Sequence, residues 1–142
     1  MLYSLQGWAG LPDLRLSPVW RWLFIVVFLF DGGATIIWSM AKLRNSVEKG
    51  LITTGPFAIV RHPIYAAFLW NGTGILAFLL ESWTVLLGVI PLHLLWNLLV
   101  RPEEQDLWQR FGDQYLNYCQ KTDRFFPRLS SLKQLMQQNG ED

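Results

Sequence analysis

The run VWRWLFIVVFLFDGGATIIWSMA, residues 19 to 41, limits what this chain can become more than any other stretch. A helix over it covers roughly 34 Å, enough to cross a hydrocarbon core of about 30 Å with some tilt. Two more apolar runs follow, IYAAFLWNGTGILAFLL at 64 to 80 and WTVLLGVIPLHLLWNLLV at 83 to 100. The first of these is short but adequate for a span. Glu81 and Ser82 interrupt what would otherwise be one overlong run, so the two read as a helical hairpin, with Pro91 placed to kink the second arm. The pattern predicts an all-α, polytopic membrane bundle of about three transmembrane helices, followed by a cytoplasmic C-terminal helical segment. Residues 1 to 142 have the length of one compact unit rather than two. Composition agrees, with 51% hydrophobic residues, eight Trp, and few charges inside the three runs.

Three spans fix sidedness. The loop 42–63 and the tail 101–142 fall on one side, and the N-terminus and the Glu81–Ser82 turn on the other. The loop carries Lys42, Arg44, Lys49 and Arg61; the tail carries Arg101, Arg110, Lys121, Arg124, Arg128 and Lys133. Only Arg15 and Arg21 lie opposite, so loop and tail are predicted to be cytoplasmic. Trp20, Trp22 and Trp83 suit anchors at the outer interface. Residues 1–18 are too polar to span, although Trp8, Leu11 and Leu14 would let them lie in the interface. No signal peptide is expected, because the first apolar run starts late, is long, and lacks a small-residue cleavage site. A net charge of +1 gives no case for nucleic acid as a partner. The single Cys119 excludes an internal disulfide and a multi-cysteine metal site, and no metal is expected.

Loop and tail carry the chemistry. The loop NSVEKGLITTGPFAIVRHP is punctuated by Gly50, Gly55 and Pro56, yet it is too apolar for a disordered linker. Pro63 suits the first position of a helix. Arg61 reads either as an interfacial cation or as a functional one. His62, at an apolar helix mouth, donates or accepts near neutral pH. In the tail, Glu103 to Phe111 suits a helix that Pro102 starts and Gly112 ends, and Asp113 to Cys119 suits a second. Leu107, Trp108, Phe111, Tyr115 and Tyr118 give these helices an apolar face. On composition alone Glu103 and Glu104 are first-turn charges of an amphipathic helix lying on the membrane.

LITTGPFAIVRHPIY, two apolar helices and then EEQDLWQRFGDQYLNY together resemble the isoprenylcysteine carboxyl methyltransferase and phospholipid methyltransferase superfamily. The resemblance covers roughly residues 25 to 128. Neither half is decisive alone; a glycine-turn loop ending in RHPxY, followed at this distance by EExxLxxxFGxxYxxY, is specific. Members are integral membrane enzymes that use S-adenosylmethionine, enclosed between loop and tail. The resemblance implies that Leu51 and Ile52 line the cofactor, that Phe57 flanks it, that His62, Pro63 and Tyr65 form a wall, and that Glu103 is the acidic contact. It implies structural roles for Glu104, Tyr115 and Tyr118. The residue types suit that ligand. A carboxylate balances its positive charge, Arg61 or His62 pairs with its carboxylate, and aromatic faces suit adenine and the sulfonium.

The chain departs from the family at several places. Phe57 stands where Tyr is usual, Leu99 where carboxyl-methylating members carry a substrate-binding Arg, and KTDRFFP where a Val-Pro ending is common. Many members also have more than three spans. Arg101, two residues from Leu99, is a possible substitute; no catalytic residue is assigned, Arg61 and Arg101 being candidates, and the acceptor is expected to be a lipophilic small molecule or a lipid. Asp31 near mid-membrane, with Asn71 and His93, reads either as a polar interhelical contact or as the lining of an acceptor site. Two other classes are a nicotinamide-dependent membrane reductase and a small channel or transporter subunit built on Asp31, Asn71 and His93. Three helices are few to wall a lipid-accessible pocket, which suggests a homodimer.

Overall fold

The computed structural model describes residues 14, 16–46 and 50–128. Trp8, Leu11, Arg15, Lys49 and Lys133, used above for the interface and for sidedness, lie outside the described residues. Among the described residues every regular element is helical: α1 (Pro18–Ser46), α2 (Pro56–Ile59), α3 (Pro63–Ala67), a π-helical turn (Phe68–Gly72), α4 (Thr73–Leu79), α5 (Trp83–Leu87), α6 (Val89–Leu99), α7 (Arg101–Phe111) and α8 (Asp113–Lys121).

Two stretches are long and apolar enough to cross a membrane: Pro18–Asn45, with mean hydropathy 1.9, and Trp83–Phe111, with mean hydropathy 1.8. Only 17% and 6% of their apolar windows are buried, whereas the core helix of a soluble protein would be mostly covered. The apolar part of the second ends at Val100, and α7 continues the axis with the polar sequence RPEEQD. The middle apolar segment, Pro63–Leu79, is shorter and is interrupted by the π-helical turn. α1 extends through Ser46, five residues past the end expected for the first span, so the loop begins later than 42.

α1 packs along α3, the π-helical turn and α4. A Cβ on Gly32 would lie 3.0 Å from the Asn71 Cβ, and one on Gly74 would lie 3.0 Å from the Phe28 ring. These two glycines set the helix separation; Gly33 faces open space and does not. Phe78 stacks between Phe24 and Phe28, with centroids 5.2 and 5.9 Å away. The hairpin turn falls at Leu80–Ser82, as the sequence indicates. The irregularity in its second arm is centred on Gly88, between α5 and α6. Pro91 has no N–H for the Leu87 carbonyl and its ring crowds that group, so the break appears one turn before the proline.

The two ends of the bundle are tied differently. At one, Arg21 pairs with Glu81, and the Leu14 N–H donates to the Glu81 carbonyl at 3.1 Å. At the other, loop and tail meet: the Arg61 N–H donates to the Asp123 carbonyl at 2.8 Å and the His62 N–H to the Arg124 carbonyl at 3.1 Å. Phe125 is buried there against Val60, Ala66, Leu69 and Val100. Its carbonyl accepts from Trp70 Nε1 at 3.2 Å.

Candidate functional site

The loop wall is built by two short helices with an extended joint. Gly55, at φ 64, occupies a conformation that disfavours a side chain, and Pro56 then opens α2. Val60 is extended, at φ −140, and ends α2. His62 caps α3, with Pro63 at the first helical position, where its missing N–H costs nothing. The joint 60–62 presents backbone to residues 123–124 and directs Arg61 and His62 at α7.

Glu104 is where those side chains converge. It is 9% exposed, and its Oε1 lies 3.1 Å from Arg61 Nη2 and 3.3 Å from His62 Nε2. Arg124 Nε donates to both carboxylate oxygens, at 3.0 and 2.9 Å. Burial disfavours the charged carboxylate, but hydrogen bonds from His62 and Arg124 and the charges of Arg61 and Arg124 outweigh it. The pKa falls from 4.5 to about 2. Hydrogen bonding to Glu104 in turn raises that of Arg124. Arg124 Nη1 also donates to Asn97 Oδ1 at 3.0 Å, and Asn97 Nδ2 bonds His93 Nε2 at 2.9 Å. Two arginines, a histidine and one carboxylate thus fasten loop, tail and α6 together.

Glu103 differs from its neighbour. Its side chain is 51% exposed; Oε2 accepts from the Tyr65 hydroxyl at 3.3 Å, and Oε1 lies 3.9 Å from His62 Nδ1. His62 is 5% exposed, with its ring between Tyr65 and Phe125 at 5.6 and 5.9 Å. Tyr65 stacks on Trp96 at 4.8 Å.

A cleft of ≈ 310 Å³ opens between the two walls. Leu51, Ile52, Phe57, Arg61 and His62 line it from the loop, and Glu103, Leu107, Phe111, Tyr115 and Tyr118 from the tail. The Tyr118 hydroxyl crosses between walls and donates to the Phe57 carbonyl at 2.6 Å. Burial raises the pKa of both Tyr115 and Tyr118, so both remain protonated. A second cavity of ≈ 470 Å³, with Thr53, Gln114 and Asn117 in its lining, adjoins the first at Leu51 and Tyr118.

Leu51, Ile52, Phe57, Arg61, His62 and Glu103 are therefore brought to one cleft, and three other candidates are not. Pro63 lines a separate cavity on the far side of the α2–α3 segment. Tyr65 stands behind Glu103 and contacts it rather than the cleft. Arg101 is exposed and outside the lining, because two residues along a helix from Glu103 amount to about 200° of rotation. Leu99, 56% exposed, also points away from the cleft. Glu104, given a structural place by the sequence, is committed to Arg61 and Arg124. The sequence reading missed Arg124 and Asn97 as parts of the network. A lone Arg beside two Phe in KTDRFFP was the available signal. The triad of Asp31, Asn71 and His93 does not assemble: Asn71 Nδ2 donates to Asp31 Oδ2 at 3.1 Å, while His93 bonds Asn97 and packs edge-on to Phe125 and Phe126.

The sequence profile of the isoprenylcysteine carboxyl methyltransferase (ICMT) family matches residues 23–109. The cobalt-zinc-cadmium resistance protein CzcN of Cupriavidus metallidurans is 27% identical over 132 residues, covering 92% of this chain and 58% of that protein. The nickel-cobalt-cadmium resistance protein NccN of Alcaligenes xylosoxydans xylosoxydans is 29% identical over 100 residues, covering 68% of this chain and 45% of that protein. Protein-S-isoprenylcysteine O-methyltransferase B of Arabidopsis thaliana is 32% identical over 98 residues, covering 62% of this chain and 45% of that enzyme. The chain thus spans about half the length of these relatives. The matched segment takes in most of α1, the hairpin, the RHPIY wall and the first turns of α7 with Glu103 and Glu104, and by that match the chain belongs to the isoprenylcysteine carboxyl methyltransferase family.

Proposed function

We propose that the chain is a membrane methyltransferase that uses S-adenosylmethionine and methylates a lipophilic acceptor. The observation that carries this reading is the cleft between the loop wall and the tail wall, with Glu103 and Arg61 both in its lining. Its volume is at the lower end of the roughly 300–1,000 Å³ typical of small-molecule sites, and the adjoining cavity extends it.

The side chains fit the group. Glu103, half exposed at the cleft, would balance the ammonium or the sulfonium. Arg61 Nε is buried and has no hydrogen-bond partner among the described residues, which leaves a donor for a carboxylate. Phe57 and Phe111 offer faces to adenine. When bound between these side chains, S-adenosylmethionine would supply an electrophilic methyl group to a lone pair of the acceptor, with the thioether as leaving group. The chain's own part is alignment and exclusion of water. Glu104 fixes the Arg61 and His62 side chains from behind, and Tyr118 holds the loop at Phe57. A dedicated base is needed only for an acceptor that arrives protonated.

In this reading the chain is one unit of three spans, with Pro63–Leu79 as the shortest; the excess of Lys and Arg puts loop and tail in the cytoplasm, and the acceptor arrives from the bilayer. A pair of chains would add walls to so small a bundle. The resistance proteins and the plant enzyme differ in what their names say they do, so the acceptor is the open variable.

Titration of the detergent-solubilised chain with S-adenosylhomocysteine and with NADPH tests the reading. Saturable binding of the first and none of the second is expected. Glu103→Ala and His62→Ala should each weaken the first by about tenfold, the order of one charge-assisted hydrogen bond. A folded chain that does not bind S-adenosylhomocysteine would sink the proposal.

A further inference from the structure

Asp31 lies near the middle of α1, whose 29 residues put it about 20 Å from either end. A carboxylate at that depth is costly and calls for a partner. Among the described residues no Lys or Arg pairs with it. Asn71 gives one hydrogen bond, from a neutral amide, at 3.1 Å. An ionised carboxylate has about four acceptor sites, so that contact leaves most of its capacity unused.

The carboxylate is not packed away. It is exposed on α1 and lines a cavity of ≈ 310 Å³ that runs two turns along the helix, past Thr35 to Trp38. Phe28 and Trp70 are also in its lining, and toward the loop and tail it is bounded by Pro56, Pro63 and Phe125. The π-helical turn Phe68–Gly72 contains both Trp70 and Asn71, and such turns recur at functional sites. Trp70 is pinned there by its bond to the Phe125 carbonyl. A carboxyl group in a cavity lined partly by aromatic side chains is complementary to a hydrophobic cation.

We propose that this cavity, which reaches from Asp31 on α1 to the loop and tail, binds a lipophilic amine in its ammonium form, with Asp31 as counter-ion, entering sideways from the bilayer. The α2–α3 segment separates it from the cytoplasmic cleft, so the site stands whether or not the methyltransferase reading does. A fatty acid would be repelled by Asp31, and an alcohol would gain no charge pairing.

The test is calorimetric titration of the full chain in zwitterionic nanodiscs with phenylbutylamine, phenylbutanol and phenylbutanoate, with empty nanodiscs subtracted. The amine should saturate and bind about tenfold tighter than the alcohol, a typical gain for one desolvated cation contact. Asp31→Asn should remove that preference while leaving S-adenosylhomocysteine binding and helix content unchanged. Trp38→Ala should weaken the amine by several-fold with Asp31 in place. Equal binding of amine and alcohol by the parent chain overturns the proposal without any variant. So does an unchanged preference in Asp31→Asn. A dimer that Asp31→Asn dissociates, with no amine bound by the parent, also overturns it and assigns Asp31 to a contact between copies.

Discussion

Replacing Glu104 with Gln keeps the shape of the side chain and deletes its charge. Arg61 and Arg124 then face a neutral amide, and each loses the counter-ion that compensates its burial. Two routes give the size of the effect. The pKa falls from 4.5 to about 2, and at about 1.4 kcal/mol per pKa unit this is ~3 kcal/mol of stabilisation at neutral pH. Breaking a buried ion pair by removing one partner costs about 3–5 kcal/mol. Because Glu104 is 9% exposed, solvent screening takes little of either figure. For a chain of this length ~3 kcal/mol corresponds to a Tm lower by roughly 10 °C. The sign in pH is equally defined. The folded-state pKa is depressed, so the contribution is complete above about 4.5 and disappears as pH falls toward 2. Differential scanning fluorimetry of parent and Glu104→Gln in one detergent, from pH 7 down to pH 3, measures both. The parent should lose Tm below pH 4.5 more steeply than the variant, and the gap between the two curves should narrow by about half at pH 3. A variant that melts within a degree of the parent at pH 7, or an identical acid slope in both, would refute the network as drawn.

Two smaller perturbations test the loop wall. Gly55→Ala puts a Cβ at positive φ and 3.1 Å from the Lys42 Cε, so a loss of about 1–2 kcal/mol is expected, read as a lower Tm. Tyr118→Phe removes the donor to the Phe57 carbonyl, which should cost about 1 kcal/mol and weaken S-adenosylhomocysteine binding by a few-fold, measured by calorimetry.

The apolar runs made the helices legible, because uninterrupted hydrophobic length has few other uses. The turn at Glu81–Ser82 and the Gly112 stop were legible for the same reason: charge and glycine interrupt a periodic pattern. Distances in space were harder to read. Arg101 and Glu103 are two positions apart in the sequence, and only the helical rotation between them keeps Arg101 out of the cleft. Nor could the sequence show that Glu104, adjacent to Glu103, turns inward to two arginines while Glu103 faces the cleft. Arg124 was illegible as a partner because the residues it joins, Asn97 and Glu104, lie 27 and 20 positions away. The π-helical turn leaves no mark in FLWNG that a periodicity argument would detect, since one extra residue in one turn shifts the pattern without erasing it.

The backbone bonds from residues 61 and 62 to 123 and 124 also set an order of assembly. A ribosome making this chain releases α1, the RHPIY loop and the hairpin before the segment that closes the site. Membrane insertion can therefore proceed helix by helix, while the cleft has only one wall until Asp123 and Arg124 have emerged. The long loop adds little to the cost of that final closure, since the entropy penalty grows only with the logarithm of its length. A chain stopped before Asp123 would retain its apolar helices and lack the backbone bonds that fasten the second wall of the cleft.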